Sequence, residues 1–246
     1  VIDSSCSFTG WSAGALSVSV NGSLTVKNTK SYAAVSGTQR SGGFIGDMSG
    51  LKQPAVISFE DCVSDAIYTE KSKYCGGFIG HVYKNTNMTI IISNSINKGN
   101  VIGEYAGGFF GVVWNNTNIS LTILDSVNDG AVTSYDYSVG GFVGSIDSNT
   151  DSTITLSNTT NNGGVGWSSS VGGFAGIISS NSEMVMAISN YINNAGVRGD
   201  ENVGGFAGRI YINRDMNITI SNSTNNGIIT GNKDCAGGLL GLINVD

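Results

Sequence analysis

Ser138-Val139-Gly140-Gly141-Phe142-Val143-Gly144-Ser145-Ile146-Asp147 sets three glycines around one phenylalanine. Alone, such a stretch reads as a turn, because glycine tolerates backbone shapes and close approaches that other residues do not. It is not alone. A Gly-Gly pair, two apolar residues and a third glycine start again at Gly42, Gly76, Gly107, Gly140, Gly172, Gly204 and Gly237. The steps between them are 34, 31, 33, 32, 32 and 33 residues. A period in this range marks a solenoid, a propeller or a similar array.

Working outward from the glycines, other residues keep the same step. Asn or Asp recurs at Asn28, Asp61, Asn94, Asp125, Asn158, Asn190 and Asn222. A second set follows three residues later at Asn97, Asn128, Asn161, Asn193 and Asn225. Apolar residues come next at Val35, Ile67, Val101, Val132, Val165, Val197 and Ile229. Each unit reads as three short strands: one after Gly-Gly, one alternating run such as Met88, Ile90, Ile92, and one around Val101. Alternation at period two bounded by Gly, Asn and Asp argues strand. No stretch has helical spacing, and the one proline, Pro54, falls in a connection.

A propeller blade needs more residues and a fourth antiparallel strand. The sequence therefore predicts an all-β fold, a parallel β-solenoid (β-helix) with about 32 residues and three strands per coil. Residues 1–246 form a single domain of roughly seven to eight coils, either a segment of a longer array or a filament protomer. Like residues stack on like residues about 4.8 Å apart. Phe44, Phe78, Phe109, Phe142, Phe174, Phe206 and Leu239 are expected to stack inward, the adjacent glycine leaving room for the rings. The Asn28-to-Asn222 row is expected to face inward as an amide ladder, with Asp61 and Asp125 at a wetter corner or under backbone donors. Alternation then puts Ile45, Ile79, Phe110, Val143 and Leu240 outside, as an apolar contact stripe. Outward Thr25, Thr122, Thr155 and Thr219 suit an exposed strand; ice binding is the minor reading of such an array.

The net charge is −6, charged residues make up 12% of the chain, and there is no basic run. Nucleic acid and acidic membrane surfaces are poor partners for such a chain. No transmembrane span is read. Cys6, Cys62, Cys75 and Cys235 form no C-x-x-C pair, and His81 is the one histidine, so no metal or other cofactor is expected. Cys62 and Cys75 share a coil and are candidates for a bridge within it. Cys6 and Cys235 lie in the first and last coils and are candidates for a bridge between molecules stacked head to tail. Four unpaired buried thiols, or a different pairing, is the competing reading.

Sequons stand at Asn21, Asn87, Asn115, Asn118, Asn158, Asn217 and Asn222. Asn87 and Asn118 share a phase in the polar loop before the second strand, and Asn115 and Asn21 fall in equivalent loops, where glycans belong. Asn217 is a further candidate. Asn158 and Asn222, on the presumed inward row, are expected to be bare. His81 stands where other units carry Asp47, Ser145 and Arg209, which reads as an exposed residue and not as a general base. Glu60, Asp61 and Asp65 resemble the acid pair of a polysaccharide-cleaving β-helix. Lys71 and Lys73 follow in that coil, however, and no acids recur beside them, so no enzymatic activity is expected. Tyr83, Trp114 and Trp167 look scattered in phase.

The unit Gly-Gly-Phe-x-Gly with Asn-x-Gly-x-Val upstream resembles the GLUG-type repeat, over nearly the whole chain. That repeat occurs in large secreted and surface proteins of bacteria and in repetitive surface proteins of protists; Phe here replaces its usual Leu. The resemblance implies an extracellular or cell-surface solenoid for adhesion, display or wall-like structure, with no active site to carry over. The expectation is a glycosylated structural subunit that self-associates through its open ends into a filament or surface layer. The alternative is an adhesin or carbohydrate-binding segment, which predicts a cleft with clustered acids and aromatics.

Overall fold

The computed structural model describes residues 1–68 and 72–244. Every strand pair in it is between coils and parallel, and the described residues contain no helix. The chain is a parallel β-solenoid of about seven coils, each pairing with the next about 32 residues on.

Each coil has four strands where the sequence suggested three. In one coil these are Val101–Gly107 in sheet 1, Phe110–Trp114 in sheet 2, Thr117–Leu124 in sheet 3 and Val127–Asn128 in sheet 4. The four sheets hold 12, 8, 7 and 7 strands. Sheet 4 escapes detection because a two-residue strand is too short to show alternation. Sheet 1 is also longer than expected and folds into two arms. In later coils these arms separate, as Val165–Gly166 and Ser170–Gly172. Between them lies a small second core of Val101, Ala106, Val132, Val139, Val171 and Cys75.

The main core is bounded by sheets 2 and 3. Sheet 3 alternates as its sequence demands: Met88, Ile90 and Ile92 are buried over Ile119, Leu121 and Ile123 of the next coil. Phe44, Phe78, Phe109, Phe142, Phe174 and Phe206 are all fully buried. Rings stack with centroids 4.8 Å apart for Phe78 and Phe109, 4.9 Å for Phe109 and Phe142 and 5.0 Å for Phe174 and Phe206, whereas Phe142 and Phe174 lie tilted at 6.2 Å. Leu239, in the last described coil, is 38% exposed because no coil covers it.

The apolar stripe placed outside is inside. Ile45, Ile79, Phe110 and Val143 are fully buried, and Leu240 packs partly against the same core. The reason is local. The N–H groups of Phe109 and Phe110 both donate to the carbonyl of Phe142, at 2.9 and 2.9 Å, and the same pairing recurs at Phe44, Phe78, Phe142, Phe174 and Phe206. Sharing one acceptor bends the strand as a bulge does, so two consecutive side chains face the core.

The three glycines of the motif serve three close approaches. A Cβ on Gly140 would strike the carbonyl of Val143, and one on Gly141 the carbonyl of Gly173 and the Asn161 amide. One on Gly144 would lie 2.8 Å from the Ala106 nitrogen. The third glycine thus makes room for the backbone of sheet 1, not for the phenylalanine rings.

Candidate ligand-binding groove

Of the amide rows that run along the axis, three bear on the corners and the core; a fourth, Asp129, Asn162, Asn194 and Asn226, is exposed. Asn28, Asp61, Asn94, Asp125, Asn158, Asn190 and Asn222 sit at the corner between sheets 3 and 4 with φ between 47° and 55°. This is the left-handed region, which Asn and Asp tolerate better than most residues. The corner turns their side chains outward: all seven are exposed, which corrects the inward assignment. For Asp61 and Asp125 the wetter corner is what the structure shows. The row is still a ladder, with Asn158 donating to Asp125 at 3.0 Å and Asn190 to Asn158 at 2.8 Å.

The inward ladder is the second set. Asn97, Asn128, Asn161 and Asn193 are fully buried. Each donates to the next, ending at Asn225, at 2.8, 2.8, 2.8 and 2.7 Å. The third row, Asn85, Asn116, Asn149, Asn181 and Asn213, turns the corner between sheets 2 and 3. Each member donates to the next at 2.9–3.1 Å and to a sheet 2 carbonyl. Its members recur at 31, 33, 32 and 32 residues, so the same period that revealed the fold marks it.

All seven sequon asparagines, Asn21, Asn87, Asn115, Asn118, Asn158, Asn217 and Asn222, are exposed. The geometric objection to Asn158 and Asn222 therefore falls. Asn118 donates its amide to Asn87 at 2.6 Å, so of this stacked pair Asn87 keeps its own amide nitrogen without a partner among the described residues.

The four cysteines are unpaired. Cys62 lies in the main core, its thiol toward the Val26 and Glu60 carbonyls, while Cys75 lies in the second core. Burial pushes both thiols up, which keeps them protonated. The bridge suggested within that coil is thus not formed, because separate cores hold the two sulfurs. Cys6 and Cys235 are at different phases as well as different ends. Cys6 matches Ala33 and Ala66, whereas Cys235 matches Asn202, Ser138 and Tyr105.

Glu60 pairs with Lys27 at 2.5 Å on the outer face of sheet 3, Asp61 occupies the left-handed corner, and Asp65 lies beyond the strand Val63–Ser64. Lys71 lies outside the described residues.

The chemically varied surface is a groove between the second arm of sheet 1 and the outer face of sheet 2. His81 lies on its floor, 1% exposed, and not at the surface as expected. Its ring stacks on Tyr74 at 4.8 Å and meets Tyr83 at 5.1 Å. Its Nδ1 bonds Asp47 at 2.8 Å, Arg40 bonds the other Asp47 oxygen at 3.2 Å, and the Ser49 hydroxyl donates to Asp47 as well. Burial holds His81 below the usual histidine range against the opposing pull of Asp47. Burial acts to raise the Asp47 carboxyl, but hydrogen bonds from His81 and Ser49 and the Arg40 charge prevail and lower it. A neutral ring beside a carboxylate carries its hydrogen on Nδ1, leaving Nε2 buried without a hydrogen-bond partner among the described residues. Asp47 and Ser49 both meet the same ring nitrogen. A serine relay needs them on opposite nitrogens, so this cluster fixes the ring and does not activate a nucleophile.

Tyr83 and Trp114 turn out to be register partners in adjacent coils, their rings 4.8 Å apart. Sheet 1 supplies a parallel column of Tyr74, Tyr105 and Tyr137. Burial, with Tyr74, Tyr137, Asp147 and Glu104 nearby, pushes the Tyr105 hydroxyl up to about 12. Trp167 is elsewhere, 64% exposed beneath the Arg198 guanidinium. The sequence reading missed the aromatic columns because coils of 31 to 34 residues shift apparent phase, and only pairing restores it.

Comparisons of the chain with family models, with curated proteins and with solved structures give no match.

Proposed function

We propose that the chain is an extracellular structural solenoid, a stiff rod whose side carries adhesive contacts. One observation carries this reading: from Asn85 and Asn97 onward two buried amide rows link successive coils side chain to side chain, beside a column of buried phenylalanines. Such uniform nearest-neighbour coupling suits a load-bearing or display element. The GLUG-like unit supports a place at the cell surface, and the exposed corner sequons support N-glycans there.

In its more specific form the rods join head to tail into a filament or layer. The unlike phases of Cys6 and Cys235 argue that no disulfide locks it. Negative-stain electron microscopy with and without reductant tests the form. Filaments with an axial repeat of about 35 Å, indifferent to reductant, are expected for coils about 4.8 Å high. Discrete short rods would overturn assembly and leave the adhesin reading in its place; filaments lost on reduction would restore the thiol lock.

A further inference from the structure

Within the groove, Tyr74, Tyr105, Val112, Trp114, Ser145 and Asp147 line a recess of about 80 Å³. The two aromatic columns meet it differently. Tyr105 has a ring on each side, Tyr74 at 5.5 Å and Tyr137 at 5.2 Å. Trp114 has one only, Tyr83 at 4.8 Å. In the next coil its register partner is Asp147, so the column stops and the indole keeps one face free of rings among the described residues. Asp147 Oδ1 accepts the Ser148 and Ser179 hydroxyls at 3.0 and 3.0 Å. Its Oδ2 has no protein partner among the described residues.

We propose that this recess binds one neutral hexose or N-acetylhexosamine ring of a glycan. The C–H face of the sugar lies on the free face of Trp114, and sugar hydroxyls donate to Asp147. The face of an indole is the negative part of its quadrupole and attracts polarised C–H groups. A carboxylate oxygen is a strong acceptor for hydroxyl donors. Asp147 is the charged residue lining the recess and disfavours an anion there, while Lys73 and Lys84 are engaged over the Tyr74 and Tyr83 rings and Arg40 with Asp47. An alkylated ammonium is held by several ring faces at once, and Tyr105 has both of its faces covered. At about 80 Å³ the recess receives one face of a single ring and leaves the rest of a glycan in solvent, so single-site binding is weak and gains strength from many rods acting together. This inference rests on the adhesive reading of the rod's side but not on filament formation.

The test uses the full chain carrying Trp11→Phe and Trp167→Phe, both exposed positions, so that Trp114 is the one tryptophan left of three. Its emission is titrated with glucose, galactose, N-acetylglucosamine, choline and inorganic phosphate. Saturable response to at least one of the sugars is expected, with Kd on the order of 1 mM. Asp147→Asn should weaken that sugar about tenfold, and Glu60→Gln, on sheet 3, should leave it within about twofold. The proposal is overturned if no sugar saturates, if choline or phosphate saturates at lower concentration than every sugar, or if Asp147→Asn has no effect. Circular dichroism of each variant confirms that a lost response is not lost fold. Short rods in the microscope that still bind sugar would sink assembly alone; filaments blind to sugar would sink the recess alone.

Discussion

Asn128 and Asn158 belong to two rows of the same residue type at the same period, yet one is fully buried and the other lies in solvent. Both donate side chain to side chain, Asn128 to Asn161 at 2.8 Å and Asn158 to Asp125 at 3.0 Å. What differs is the backbone. Asn158 is selected for φ 52°, and its ladder is secondary. Asn128 also holds the Gly130 carbonyl at 3.0 Å, and its amide presses against Gly108. There the side chain satisfies polar groups sealed from water. A repeated asparagine is thus a backbone device in one row and a core element in the other.

The comparison breaks most violently at the glycine that the buried row needs. Gly108→Val drives a side chain into the Gly141 carbonyl and the Asn128 amide, both part of the coil-to-coil contact. Loss of the cooperative thermal transition is expected, since neither neighbour has room to retreat. Next in size is Asn128→Ala. It strands buried partners on both sides and should cost about 2 kcal/mol or more in denaturant unfolding. An effect below about 0.5 kcal/mol would show that water replaces the ladder.

In the exposed row the prediction depends on shape, not on hydrogen bonding. Asn158→Val should cost about 1–2 kcal/mol because a β-branched residue resists the left-handed region. Asn158→Gly should stay within about 0.5 kcal/mol of the parent. If the two substitutions cost the same, the outer ladder and not φ governs the position.

Neither row's amides titrate, so acid gives the mildest test. His81 is held below its unfolded value, so the unfolded chain binds the extra proton. Its contribution is complete above a pH of about 6.5 and is lost as pH falls through the depressed value. Asp47, also lowered, works in the same direction further down. Melting temperature should therefore fall between pH 7.5 and 5 and fall less in His81→Gln; an equal fall in both would place the sensitivity elsewhere.

The period alone made the fold legible, because thirty-two-residue steps with alternating apolar runs leave little but a parallel solenoid. Facing was harder. Asn94 and Asn97 look alike in sequence, and only the left-handed φ of Asn94, 48°, separates them. Alternation also misled at Phe109 and Phe110, where one carbonyl takes two donors and the period of two is suspended. The groove was least legible. Tyr74, Tyr83 and Trp114 come together through pairing between coils and through the fold of sheet 1, neither of which leaves a local mark.

The sharing of one carbonyl by two amides recurs at every Gly-Gly-Phe, so successive coils offer their neighbours nearly the same lock and the same key. Copy number then becomes a tolerable variable. Excising residues 173–204 joins Gly172 to Gly205 and rebuilds the Gly-Gly-Phe junction with Phe206, leaving the Trp114 recess in place. Such a shortened chain should still melt cooperatively, a result that scanning calorimetry would check. Unequal crossing-over within its own coding sequence would lengthen or shorten the rod by whole coils, preserving a lateral patch while moving it along the shaft.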